Sequence, residues 1–142
     1  MEKEKFTQNL IKVAFAAMTC DLDIDPAEIF ELRKLVKEDF YFKGYSLTKE
    51  IDSLEKEFKK YNLFLIERIL NEQLSLDYSE AQKMVVIATA INMAKADKTI
   101  DPAEKAFVKQ LIINLRVPSS IIDVKFGGWD SLEETSIPLV SA

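Results

Sequence analysis

Apolar residues recur along this chain at helical spacing, interrupted by short polar or acidic breaks. From about residue 4 to 20, Phe6, Leu10, Ile11, Val13, Ala14, Ala17 and Met18 share one broad face, the period of a helix that buries a stripe. A second helix, from Asp25 and Pro26 to about Glu38, turns Ile29, Leu32, Leu35 and Val36 inward and Glu31, Arg33, Lys34 and Lys37 outward. Ser46 is placed to cap a third, about 47 to 60, whose stripe is Leu47, Ile51, Leu54 and Phe58. On it Asp52 precedes Lys56 and Glu55 precedes Lys59 by four residues, as on a solvated face. Asn62 opens a fourth helix holding Leu63, Phe64, Ile66, Ile69, Leu70 and Leu74. Ser79 and Gln82 form a capping box for a fifth, about 80 to 96, the apolar partner of the first. A sixth follows Asp101 and ends near Arg116, ahead of Val117-Pro118. A short turn of helix through Asp123 comes last. No alternating β-branched run persists, so the pattern predicts an all-α domain over residues 1–123, with an irregular tail over 124–142.

Two of the breaks carry the same words. Asp21-Leu22-Asp23-Ile24-Asp25-Pro26-Ala27-Glu28 returns as Asp97-Lys98-Thr99-Ile100-Asp101-Pro102-Ala103-Glu104, and sliding Leu10–Val36 by 76 residues onto Val86–Ile112 makes nine of 27 positions identical, five of them consecutive. That run is hard to obtain by accident, so the chain reads as a duplicated unit. Asp25 and Asp101 stand where an N-cap accepts from free amides of the first turn, with Pro at the first helical position and Glu three residues after the cap. Capping alone accounts for these residues. The additional acids allow a second role: Asp21, Asp23, Asp25 and Glu28, with Asp97, Asp101 and Glu104, are candidate ligands for a hard, oxygen-preferring divalent cation such as calcium or magnesium. They do not complete an EF-hand. Counted from Asp21, the sixth loop position is Pro26 where glycine is needed, and the twelfth is Leu32 where a bidentate Glu belongs.

Composition narrows the chemistry. The chain has no histidine, which removes imidazole triads, Cys-His nucleophiles and His-ligated metals. None of its three glycines sits in a phosphate-cradling arrangement. With 24 acids against 19 bases, net charge −5, and no basic cluster, nucleic acid and anionic membrane are poor partners. Cys20 lies in an apolar helical run and reads as a small core residue. The N-terminal stretch lacks a secretory signal pattern, and the longest apolar runs are far too short to span a bilayer, so a cytoplasmic location without membrane insertion is expected. Phe40-Tyr41-Phe42-Lys43-Gly44-Tyr45 is dense in aromatics, usually a sign of packing and otherwise of a partner groove.

The two copies, Ala17 to Glu28 and Ala94 to Glu104, with the charged middle Leu47 to Leu74, resemble the TerB-like family, named for the tellurite-resistance protein TerB and including a domain of certain J-domain cochaperones. In that family a helix ending Ala-x-x-Asp-Gly leads through an acidic turn into a helix starting Asp/Ser-x-x-Glu. Here the glycine after the first acid is replaced by Leu22 in one copy and Lys98 in the other, residues that disfavour positive φ. The resemblance covers about residues 8 to 123. It implies a single-domain helical bundle of two repeats related by an approximate twofold axis, and a role as an interaction or sensing module in stress response; it supplies no catalytic residues.

The expected function is therefore a non-enzymatic module that binds another, unidentified protein, as a monomer or weak homodimer, with Tyr41, Tyr45 and Trp129 near an exposed apolar groove. No cofactor is required, although a divalent cation at the acidic turns would tune it. The competing reading makes cation binding or sensing at those turns the main event. An enzyme with paired carboxylates as acid and base rests on the abundance of acids alone.

Overall fold

In the computed structural model, residues 2–22, 26–38, 48–94 and 100–130 are described. They form seven α-helices and, among the described residues, no strand: α1 Lys3–Thr19, α2 Pro26–Glu38, α3 Thr48–Tyr61, α4 Leu63–Glu72, α5 Glu80–Ala94, α6 Pro102–Asn114 and α7 Ser119–Phe126.

The first helix is the axis of the bundle. Every residue from Val13 to Thr19 is buried, so this half is enclosed on all sides where the apolar spacing predicts a single broad face. A helix apolar all round is a core helix, and α1 touches α2, α3, α4, α5 and α6, packing most extensively on α5 as expected. Two buried threonines fit there because each hydroxyl donates back along the helix, Thr7 Oγ1 to Lys3 O (2.9 Å) and Thr19 Oγ1 to Phe15 O (2.8 Å).

The outer helices obey local rules with two exceptions. On α3 the stripe Ile51, Leu54 and Phe58 is buried, and Phe58 meets Phe15 edge to face at 6.0 Å. The acids expected to pair within α3 instead reach α2: Arg33 Nη2 lies 2.9 Å from Asp52 Oδ1 and 3.5 Å from Glu55 Oε1. On α4, Leu65, Ile66 and Ile69 are buried while Leu63 and Phe64 are exposed, as is Leu74 beyond its end, and Asn62 precedes the helix at φ 49° without a side-chain cap bond. Ser79 and Gln82 make their capping box at 2.9 and 3.1 Å. Asn114 Nδ2 donates to Leu70 O at 2.8 Å and ties α6 to α4.

The end of α6 shows why it stops before Pro118. Val117 N donates to Ile112 O (3.3 Å) and Arg116 N to Ile113 O (3.0 Å), a Schellman closure with Arg116 at φ 58° where glycine is preferred. The last helix runs to Phe126 rather than ending by Asp123, because Ile122 and Phe126, four apart, both reach the core. It is closed by Gly127, where any Cβ would sit 2.5 Å from Asp123 O. Trp129 then enters the core, so the start of the expected irregular tail is ordered packing.

Candidate functional site

In the second acidic turn Asp101 and Glu104 form a capping box. Asp101 Oδ1 accepts from Glu104 N at 2.9 Å, and Glu104 Oε1 accepts from Asp101 N at 3.2 Å, with Pro102 beginning the helix. Glu104 is only 4 % exposed. A carboxylate so enclosed needs these amides, and the positive end of the helix dipole, to remain charged. In the first turn Asp21 is exposed and Glu28 half-buried. Asp23, Asp25 and Asp97 lie outside the described residues, as do Tyr41, Tyr45, Ser46 and the residues after Asp130.

Cys20 reports how the two turns are arranged. Its thiol is held above the usual range by burial first, and then by the negative charges of Glu104, Asp101 and Asp21. The end of α1 and the start of α6 therefore share one end of the bundle, and their carboxylates act on the same sulfur. A thiol kept protonated in this way is a poor nucleophile. Among the described residues, no group of three His, Cys, Asp or Glu is placed to hold a metal ion.

The corner between α3 and α4 lies toward the same end. Ile11 and Leu54 line one groove, and Phe15 meets Phe58 four residues further along each helix, so α1 and α3 run in the same direction. The six consecutive residues Lys59 to Phe64 are all exposed. They straddle the break at Asn62 (φ 49°), where α3 ends and α4 begins, and form an exposed corner. It carries Tyr61 (43 % exposed), Leu63 (46 %) and Phe64 (75 %), with Lys60 Nζ 5.3 Å from the centre of the Tyr61 ring. Helix phase is the signal that finds these residues: with Leu65, Ile66 and Ile69 inward, Phe64 falls on the opposite side of α4.

Trp129 corrects the expectation of an exposed groove around it. It is 6 % exposed and belongs to the core, because the Gly127-Gly128 turn, with Gly128 at φ 84°, redirects the chain after α7.

Residues 7–123 match the family model described as tellurite resistance protein TerB. The chain belongs to the TerB family. No curated relative and no solved structure matches it. In this TerB-family chain the acidic turn keeps a left-handed residue even without the glycine: Leu22 adopts φ 67° and donates from its N–H to Thr19 O at 2.8 Å. A non-glycine residue held in that region costs about 1 kcal/mol or more.

No helix among the described residues is long and apolar enough to cross a membrane.

Proposed function

We propose that this TerB-family chain is a non-enzymatic protein-interaction module of a cytoplasmic stress-response system, and that its partner lands on the α3–α4 corner. The supporting observation is the outward set Tyr61, Leu63 and Phe64, three large apolar side chains within four residues on an exposed corner. Aromatic anchors of this kind carry a large share of binding energy when a partner pocket desolvates them. Lys59 and Lys60 in the last turn of α3 would meet a polar rim. On this reading the chain requires no cofactor, nucleic acid or membrane insertion, and is a monomer or weak homodimer without its partner.

The test is the double variant Leu63→Ala, Phe64→Ala. It should lose a partner that the unaltered chain captures, at an unchanged melting temperature; equal capture would remove the corner from the interface.

The second reading, cation binding or sensing, draws on the shared end of the two acidic turns around Cys20. It predicts a melting temperature raised by millimolar calcium or magnesium, by roughly 2.7 kcal/mol in stability at 100 times the dissociation constant. Loss of that shift in Asp21→Asn or Asp97→Asn would place the ion first. Absence of any shift would leave the acids as helix caps.

A further inference from the structure

The sequence carries no stop signal at the break between α3 and α4. No glycine or proline occurs between Gly44 and Pro102, and a single residue, Asn62, separates the two helices. Its N–H still donates to Phe58 O at 2.8 Å, as in a continuing helix. The bend lies in its own torsions, φ 49° and ψ −120°, those of the first central position of a type II′ turn, where glycine is the usual residue. The apolar pattern does not register this bend. Ile51, Leu54, Phe58, Tyr61, Leu65 and Ile69 follow one another at three or four residues, and on an uninterrupted helix over 48–72 they fall within an arc of about 80°. All of them except Tyr61 are buried in the bent form.

We propose that Asn62 is a hinge at which α3 and α4 join into one helix, so that two copies of this chain exchange the halves on either side of it. A short connection under strain invites such exchange. The halves match the repeated segment, of which one copy, 10–36, lies before the hinge and the other, 86–112, after it. Helix α1 packs on α2 and α3 within the first half and α5 on α6 within the second, while α1 meets α4, α5 and α6 across the hinge. These cross-hinge contacts include Lys12 Nζ to Glu72 Oε1 at 3.7 Å and the Phe6–Tyr78 ring pair at 5.8 Å. They form equally well between two chains, so exchange keeps the main interface and relieves Asn62 in both copies. Tyr61, Leu63 and Phe64 then lie where the two bodies adjoin, and a second copy covers apolar surface that the closed monomer exposes. The exchanged dimer thereby withdraws the corner. This inference does not rest on what else binds there.

The experiment refolds equal amounts of light- and heavy-isotope-labelled full chain together from denaturant at millimolar concentration, separates dimer from monomer by size, and joins Lys12 to Glu72 with a carbodiimide. Mass spectrometry of the dimer should find light–heavy pairs as often as same-label pairs; a dimer of closed monomers gives same-label pairs only. Asn62→Ala, which favours helix at both hinges, should raise the association constant roughly tenfold or more, and Asn62→Gly, which fits the bend, should lower it. Same-label pairs alone, no dimer from either the unaltered chain or Asn62→Ala, or an association constant indifferent to residue 62 overturns the hinge. Should Asn62→Ala fail to fold, the labelling of the unaltered chain and its comparison with Asn62→Gly still decide. The readout needs no partner protein, so it stands or falls apart from the loss of capture in Leu63→Ala, Phe64→Ala.

Discussion

Two helix connections at one end of this bundle treat their most conspicuous residues in opposite ways. The α5–α6 connection ends in Asp101 and Glu104, which close on each other's amides, Glu104 being almost fully enclosed. The α3–α4 connection turns six successive side chains outward, three of them large and apolar. A string of acids draws the eye in the sequence, yet in the second copy Asp101 and Glu104 are engaged in starting a helix. The apolar corner looks like ordinary core material and is the part left available. Chemical type alone does not decide availability; the hydrogen bonds a group already makes, and the helix phase it occupies, do.

The comparison can be broken at several points. Trp129→Ala, at the enclosed extreme, should cost about 3–5 kcal/mol, the range for a buried aromatic, measured by denaturant unfolding; a cost below about 1 kcal/mol would return Trp129 to the surface. Asp101→Ala should cost about 1–2 kcal/mol through loss of the cap, with faster amide exchange at Glu104. If it proves neutral, the closed character of that turn is wrong. Arg116→Gly should stabilise by about 0.5–1 kcal/mol, because relief of a left-handed residue, worth about 1–2 kcal/mol, exceeds the added chain entropy of glycine; thermal melting would read this. Phe64→Ala, at the open extreme, should change stability by less than about 0.5 kcal/mol. A larger loss would mean the ring is part of the packing and the corner is not free.

Much of the fold was legible in the sequence because its rules are local. The stripe Ile51, Leu54 and Phe58 follows from period alone, and the boxes at Ser79–Gln82 and Asp101–Glu104 follow from hydrogen bonds spanning three residues. What escaped depends on distant parts of the chain. Arg33 draws Asp52 and Glu55 away from their lysines because α2 happens to lie beside α3. Trp129 is buried because a glycine turn after α7 aims it at helices far away in sequence. Leu22 at φ 67° could not be read from its side chain, which opposes that conformation; the turn between α1 and α2 imposes it. At the candidate site, the capping role of Asp101 and Glu104 was legible, whereas Leu63 and Phe64 were read only as apolar residues of the fourth helix, with no side assigned to them. Their exposure follows from the phase of a ten-residue helix, which the fully buried Leu65, Ile66 and Ile69 set only once all three are placed together.

The enclosure of α1 has a consequence for how the protein is made. Its core segment Val13–Thr19 is translated early, yet α5, its main neighbour, ends at Ala94, 75 residues after Thr19 (94 − 19). At roughly 5–20 residues per second, a ribosome needs about 4–15 s to supply it. During that interval the fully buried run Val13–Thr19 lacks its principal cover. A nascent chain halted after α4 should therefore recruit holding chaperones or aggregate, and release of α5 should be the event that ends that exposure.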